Sequence, residues 1–363
     1  VTDEALKFID ANKAGPFLLN LWFYDVHAPF QAKEELKAKY AAKTDPRGKQ
    51  DCPTMGGMIE VMDTNLGRVL DKLAELGIEN ETLIVFTSDN GGNMYNEVEG
   101  TTPTNNAPLR SGKGNAYEGG CRVPLIVSWP GKVQPGTDSR TITSTVDWFP
   151  TLLDLLELES PAGQAVDGAS LLPVLRGGSL GRDTIYCHFP HYVKATFNLP
   201  CTWVRKGDWK LLRFFCDNDD QSDRLELYNL RDDIGETKNL AAEKPELTRE
   251  LNDLITVHLA ETKSLVPKKN PNYGKQPPAG WSTSKHATLE KRDGSFLVSS
   301  TGGDPWMLTR EVPKNASGKL RVELKMKSTA GNGSITWATQ KEPKIGKPHL
   351  VGFPVEDGDS IQT

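Results

Sequence analysis

The segment Ile84-Val-Phe-Thr-Ser-Asp89-Asn90-Gly91-Gly92 is the most informative part of the chain, because an apolar run ends there in an acid, an amide and two glycines. In α/β sheets, ligands bind at the carboxyl ends of strands. Asp89 and Asn90 supply hard oxygen ligands suited to calcium or magnesium, and the glycines allow a tight backbone turn beside an ion. A turn in which Asp-Asn-Gly serves conformation alone is the alternative interpretation.

Apolar runs and amphipathic segments on both sides of this strand predict an α/β protein. Runs of apolar residues predict strands buried on both faces; they lie at residues 17–26, 82–87 and 123–129. Helical periodicity predicts helices at 3–13, 54–76 and 151–158. Gly77 is placed as the C-cap of the second helix and Pro150 at the start of the third. Alternating strands and helices favour a layered α/β architecture with a largely parallel sheet.

The sequence changes character after about residue 180. Short strands are predicted at 202–206, 208–215 and 224–230, and a helix at 245–262. Residues 264–280 read as a linker by composition, and residues 319–327 alternate strictly, which predicts a strand with 333–339 as its partner. We therefore expect an α/β domain at 1–180, an α+β subdomain at 181–263 and a β-rich tail domain at 281–363 that is incomplete.

Composition restricts the classes of function. The 363-residue chain has a net charge of −5, so no basic excess indicates nucleic acid as a partner. The absence of an apolar run of 18 residues predicts no membrane span. The five cysteines lack CxxC spacing, which disfavours a zinc site. One disulfide among Cys187, Cys201 and Cys216 is left open.

A second candidate region is the glycine-rich segment 108–124, which contains three cations. Arg110, Lys113 and Arg122 alternate with glycines ahead of an apolar run. Backbone N–H groups exposed by glycine, together with a lysine, can hold an anion. The segment is not a Walker A loop. A flexible surface loop with solvated cations is the other interpretation.

Histidines form the remaining candidates. His27 directly follows a predicted strand, where it could bind an anion or transfer a proton; a structural role is the alternative. His188 and His191 lie three residues apart. No third ligand is evident near them, so we favour a role in lining a pocket over a second metal site.

These elements, in this order, resemble the formylglycine-dependent sulfatase family. The shared blocks are His27-Ala-Pro29, the helix Met58 to Arg68, Ser88-Asp-Asn-Gly91, Gly112 to Pro124, Asp147-Trp-Phe-Pro-Thr151, Asp167 to Pro173 and Leu227 to Asp233. The resemblance covers roughly residues 1–260. The resemblance implies an alkaline phosphatase-like mixed sheet flanked by helices, with the smaller α+β subdomain and the β-rich tail beyond it.

The resemblance also implies roles for individual residues. Asp89 and Asn90 correspond to two calcium ligands, Lys113 to the lysine that contacts the sulfate, and His27 to the histidine near the leaving oxygen. His191 is assigned to the pocket for the rest of the substrate. The expected substrate is a sulfated carbohydrate or an aryl sulfate, in a periplasmic or secreted setting. Glu118 and Arg122 are expected to brace the loop.

One element of the family pattern is not found. None of the five cysteines begins Cys-x-Pro-x-Arg, and no Ser-x-Pro-x-Arg occurs. The formylglycine nucleophile and the earlier Asp-Asp pair are therefore expected in an upstream segment, and the chain alone is expected to be inactive.

Three other functions remain open at this stage. The first is a phosphate or phosphonate monoester hydrolase of the same superfamily, and the second is a non-catalytic anion- or glycan-binding protein. The third is an adhesive module centred on the tail, whose Trp306 and Trp337 could stack on sugar rings.

Overall fold

The computed structural model describes residues 1–271 and, within 281–362, eight strands. The chain separates into two compact units, Val1–Pro271 and Asn272–Thr363. The helices of the first unit are α1 (Thr2–Asn12), α2 (Glu34–Ala41), α3 (Pro53–Glu75), α4 (Glu118–Cys121), α5 (Trp148–Leu155), α6 (Leu172–Leu175) and α7 (Pro245–Glu261). Its strands are β1 (Ile84–Thr87), β2 (Leu125–Ser128), β3 (Thr184–Phe189), β4 (Cys201–Lys206), β5 (Trp209–Phe214) and β6 (Arg224–Asn229).

The long helix α3 forms where its periodicity predicts. Its apolar face packs against α1 through Ile9, Val69 and Leu73. At its end the N–H of Gly77 donates to the carbonyl of Ala74 at 3.0 Å, and the N–H of the next residue reaches the carbonyl of Leu73 at 3.0 Å. With φ of +67° at Gly77, this is a Schellman motif, and it confirms the predicted C-cap glycine.

The segment 17–26 differs from its prediction, because no described strand pairs with it. Phe17, Leu19 and Leu21 pack on the cluster between α1 and α3. Leu18 and Trp22, on the opposite side, are 73% and 76% exposed. The segment therefore alternates like a strand, but it is covered on one side only.

The short sheet of β1 and β2 also corrects the sequence reading. The two strands pair antiparallel, with Ile84 opposite Ser128 and Thr87 opposite Leu125. All the other ladders of the described residues are antiparallel too, so the expected largely parallel arrangement is wrong for the described residues. Both strands are partly exposed rather than buried. Helix α5 begins at Trp148, so Pro150 lies within its first turn instead of opening it.

The larger sheet of the first unit has the order β3-β4-β5-β6. β3 was absent from the sequence prediction, whereas the other three strands lie where they were expected. One face of the sheet packs on α7 through Leu211, Leu251 and Ile255. The other face packs on the loop that precedes α4, with Ala116, Trp203 and Phe214 in the same cluster. The second contact matters most for function, because that loop contains Lys113.

The tail unit consists of strands in antiparallel pairs: β7 (Trp281–Thr283), β8 (Ala287–Arg292), β9 (Ser295–Ser300), β10 (Met307–Thr309), β11 (Leu324–Ser328), β12 (Gly331–Thr336), β13 (Leu350–Val355) and β14 (Gly358–Gln362). β11 pairs with β14, and β12 with β13. The predicted pairing of 319–327 with 333–339 is therefore wrong, because each segment finds a more distant partner. Trp306 and Trp337 lie outside the described residues, and so does most of the predicted linker.

Candidate functional site

Two loops that lie far apart in the sequence interlock at the end of β1. The N–H of Gly91 donates to the carbonyl of Gly120 at 3.0 Å, and the N–H of Lys113 donates to the carbonyl of Gly92 at 3.0 Å. The loop with Asp89 and Asn90 is thus joined by backbone hydrogen bonds to the loop with Lys113.

Glycines at this junction are required by the close approach of the two backbones. A Cβ on Gly91 would lie 1.7 Å from the carbonyl oxygen of Gly119, and a Cβ on Gly119 would lie 2.2 Å from the carbonyl oxygen of Ser111. The N–H groups of Gly91, Gly119 and Gly120 all donate to backbone carbonyls. Our prediction that the glycines of segment 108–124 expose N–H groups to an anion is therefore wrong for Gly119 and Gly120, which serve loop packing instead.

Asn106 fastens the same junction through its side-chain amide. Its Oδ1 accepts from the N–H of Gly92 at 3.1 Å, while its Nδ2 donates to the carbonyls of Gly92 and Ser111, each at 3.0 Å. Both N–H groups of the amide are therefore used within the protein, and its oxygen accepts a further hydrogen bond. Sequence reasoning missed this residue, since an asparagine within Asn105-Asn106-Ala107 looks like ordinary loop composition.

Lys113 and His27 meet at this junction although 86 residues separate them. The Lys113 Nζ lies 3.0 Å from the His27 Nε2, and the His27 Nδ1 lies 2.8 Å from the carbonyl oxygen of Ala28. A carbonyl only accepts and an ammonium only donates. These partners assign a proton to Nδ1 and the acceptor role to Nε2. His27 can therefore take up a proton at Nε2 once that contact opens.

Asp89 and Asn90, on the loop that is hydrogen-bonded to the Lys113 loop, each offer oxygen ligands for a metal. Asp89 is exposed, and its carboxylate has no hydrogen-bond or ion-pair partner among the described residues. The Asn90 Nδ2 donates to the carbonyl of Gly91 at 2.9 Å, which leaves Oδ1 available. Carboxylate and amide oxygens fit calcium, which takes six to eight such ligands. Within the described part of the chain, no group of three or more acidic, cysteine or histidine side chains is arranged to hold a metal. Asp89 and Asn90 alone would fill only part of a calcium coordination shell.

The two later histidines have different surroundings. His188 has both ring nitrogens engaged, Nδ1 with the Thr202 hydroxyl at 2.7 Å and Nε2 with the carbonyl of Leu265 at 3.0 Å, so it is a structural residue here. His191 is exposed. Its loop is attached to the Lys113 loop, because the hydroxyl of Thr196 donates to the carbonyl of Gly114 at 2.9 Å.

A buried ionic cluster lies behind the Lys113 loop. The Lys210 Nζ contacts the Glu118 carboxylate at 2.9 Å and the Glu236 carboxylate at 3.0 Å, and Lys210 and Glu236 are completely buried. Burial raises the pKa of Glu236. Burial also acts to raise the pKa of Glu118, but the charge of Lys210 outweighs it and the pKa falls below its usual range. A lysine within the apolar strand 209–214 was the only sequence signal of this cluster.

A second set of contacts holds the same loop to the sheet. The guanidinium of Arg110 lies 3.7 Å from the ring centre of Tyr117 and donates to the hydroxyl of Tyr228 at 3.1 Å. Both tyrosine hydroxyls donate to Glu226, at 2.7 and 2.8 Å. Burial and the Glu226 charge raise the pKa of each tyrosine, so both remain neutral donors. Arg110 is thus a structural cation.

Comparisons with known proteins identify the family of this chain. The sulfatase family profile matches residues 1–158, and the profile of the N-sulphoglucosamine sulphohydrolase C-terminal region matches residues 112–263. Residues 1–263 of the chain belong to the sulfatase family, as their resemblance predicted.

Relatives can be compared over part of their length. A sulfatase of Formosa agariphila is 39% identical over 263 residues, which are 67% of this chain and 45% of that protein. The steryl-sulfatase of Mus musculus is 40% identical over 185 residues, 49% of this chain and 27% of that protein. The crystal structure of Ps i-CgsB in complex with k-i-k-neocarrahexaose has a TM-score of 0.60 at 29% identity, covering 71% of this chain and 53% of that one. The chain thus spans less than half the length of either curated relative. No helix in the described part has the length and hydrophobicity to span a bilayer.

Proposed function

We propose that this chain is part of a calcium-dependent sulfatase, in which it provides half of the metal site and part of the sulfate-binding site. The reaction converts a sulfate ester and water into an alcohol and sulfate. The observation that carries the proposal is the contact between the Lys113 Nζ and the His27 Nε2, which lie 3.0 Å apart. Lys113 lies on the loop that is hydrogen-bonded to the Asp89–Gly92 turn.

Each of these side chains has a role suited to sulfate ester cleavage. Lys113 provides a positive charge for the sulfate oxygens, and the charge is worth more where water is excluded. The Nε2 of His27, which faces Lys113, accepts in this structure; once it has taken up a proton there, His27 can deliver that proton to the leaving alcohol oxygen. General acid catalysis of this kind contributes roughly 10²–10⁴-fold. His191 is proposed to contact the remainder of the substrate.

In the complete protein, a formylglycine would supply the nucleophile and a calcium ion at Asp89 and Asn90 would offset sulfate charge. The chain has no Cys-x-Pro-x-Arg or Ser-x-Pro-x-Arg from which formylglycine could form. We therefore propose that this residue lies outside the 363 residues, as do the other metal ligands, and that the 363-residue chain alone releases no sulfate.

A sulfated carbohydrate is our proposed substrate. It is supported by the similarity to Ps i-CgsB, whose crystal structure contains k-i-k-neocarrahexaose. The similarity to a steryl-sulfatase keeps sulfated aromatic or steroid alcohols as the second candidate. We propose a periplasmic or secreted location, which rests on the family alone.

The test is sulfate release by the complete gene product, measured by ion chromatography on sulfated oligosaccharides, an aryl sulfate and a phosphonate monoester. We expect Lys113→Ala and His27→Ala each to lower kcat/KM on a sulfate ester by about 10²-fold or more. Lys132→Ala changes an exposed lysine outside the site and should leave kcat/KM unchanged. Faster turnover of the phosphonate, or full activity of Lys113→Ala, would contradict the proposal.

A further inference from the structure

The buried lysine of β5 contacts three groups that belong to, or hold, the Lys113 loop. The Lys210 Nζ donates to the carbonyl of Ala116 and to the Glu118 carboxylate, each at 2.9 Å. It also pairs with Glu236 at 3.0 Å, whose other oxygen accepts from the N–H of Glu118 at 2.6 Å. One ammonium thus binds the loop both directly and through a second carboxylate.

Stability alone does not account for this cluster. Moving charges out of water is costly, and apolar side chains of the same volume often stabilise a protein as well as a buried ion pair does. Glu236 also adopts φ of +51°, a conformation that is unfavourable for a residue other than glycine. A buried charge cluster with backbone strain is better explained by a need to fix one geometry.

The cluster is connected to Lys113 by backbone hydrogen bonds and close glycine contacts. Glu118 is followed by Gly119 and Gly120, and the carbonyl of Gly120 accepts from Gly91 at 3.0 Å. Gly92 follows Gly91 in the chain, and its carbonyl accepts from the N–H of Lys113 at 3.0 Å. Because the glycine contacts permit not even one added carbon atom, a shift of Glu118 would be passed on to the Lys113 backbone.

We propose that Lys210 and Glu236 are positioning residues that hold loop 112–121, and with it Lys113, in the geometry that binds sulfate. The role in sulfate binding rests on the proposed function. The role in holding the loop does not, and it can be tested separately.

The first experiment measures amide hydrogen exchange of the 363-residue chain in two variants. Lys210→Met removes the charge at similar length, and Glu236→Gln removes one carboxylate while keeping its volume. We expect the amides of Lys113 and Glu118 to exchange at least about 10-fold faster in both variants, while the amides of Leu251 and Ile255 in α7 stay protected. If Lys210→Met does not fold, Glu236→Gln decides the result.

The control is a second buried ion pair of the same unit. Arg182 binds Asp147 through two hydrogen bonds of 2.6 and 2.7 Å, and Asp147 is completely buried. Arg182→Met should destabilise the unit without faster exchange at Lys113. The proposal is overturned if Lys113 exchange in the Lys210 and Glu236 variants stays within about twofold of the wild type, or if Arg182→Met accelerates it equally.

The second experiment compares KM and kcat for a sulfate ester in the complete gene product. We expect Glu236→Gln to raise KM by about 10-fold or more with a smaller change in kcat, because the sulfate-binding lysine is displaced. Arg182→Met should leave KM unchanged. A wild-type protein that releases no sulfate would refute the proposed function, while the exchange experiment would still decide whether Lys210 and Glu236 hold the loop. An unchanged KM in an active Glu236→Gln enzyme would refute the positioning role.

Discussion

Substitution of Gly91 by alanine should separate the two loops of the site. The new Cβ would lie 1.7 Å from the carbonyl oxygen of Gly119 and 3.1 Å from the Cα of Gly120. Cβ atoms are not found closer than 3.0 Å to such atoms, so the backbones must separate by more than about 1 Å. The hydrogen bond from Gly91 to Gly120 would then be lost as well.

The expected loss of stability follows from these two effects. Overpacking of this kind costs roughly 1–3 kcal/mol, and the lost hydrogen bond about 1 kcal/mol more. A total of about 2–4 kcal/mol in a unit of this size lowers Tm by roughly 5–10 °C. The measurement is the thermal midpoint of the first unit by circular dichroism, with amide exchange of Lys113 as a local probe.

Gly67 provides a matched control with the opposite expected sign. It lies within α3, and a Cβ at Gly67 would meet no atom within 4 Å. Alanine there should stabilise the helix by up to about 1 kcal/mol, because it has the higher helix propensity. Equal midpoints for Gly91→Ala and the wild type, or equal losses at Gly91 and Gly67, would refute the close-approach argument.

Three further predictions concern side chains around this unit. Asn106→Asp should lower the free energy of unfolding in urea by about 2 kcal/mol, because the two hydrogen bonds that the amide donates to carbonyls are lost. Asn105→Asp keeps its acceptor for the N–H of Ala107 and should leave the free energy of unfolding nearly unchanged. Equal losses in the two variants would contradict this prediction. Although burial acts to raise the pKa of Asp147, hydrogen bonds from Arg182 and two backbone N–H groups hold it below its usual 3.8. Its stabilising contribution is therefore complete above that pH and is lost as the pH falls below it. Asp147→Asn should reduce the loss of the free energy of unfolding at acidic pH. An unchanged acid dependence would contradict the role of the Asp147–Arg182 pair. Burial raises the pKa of the Cys201 thiol to about 12. At pH 8, Cys201 should therefore resist alkylation in the native protein and react in the urea-unfolded protein, as measured by peptide mass spectrometry. Rapid labelling of the native protein would contradict the prediction.

Local sequence patterns predicted the elements whose neighbours in sequence define them. The spacing of apolar residues three and four apart predicted helices α3 and α7. Gly77 was predicted to end α3, because glycine readily adopts the positive φ that a helix end requires. The order of motifs from His27 to Asp233 predicted the family, because several blocks in one order are more specific than any one of them.

Patterns failed where pairing with a distant segment decides the outcome. Segment 17–26 has the composition of a buried strand, yet Trp22 is 76% exposed, because no described strand or helix covers that side. The direction of β1 against β2 and the partner of β11 depend on register and topology rather than on composition. The sequence predicted that Gly91 allows a tight turn, either beside an ion or for conformation alone. Only the tertiary structure, in which an added Cβ would lie 1.7 Å from the carbonyl oxygen of Gly119, identified it as a packing residue.

The sequence by itself determined the sulfatase family, the main helices and the identity of the candidate residues Asp89, Asn90, His27 and Lys113, since residue types and their order along the chain carry that information. Only the tertiary structure brought Lys113 to His27 and placed Lys210 behind their loop. The physical reason is that hydrogen bonds and ion pairs between residues about 90 positions apart depend on how the chain packs, and a lysine in a strand has the same sequence signature whether it faces water or a buried carboxylate.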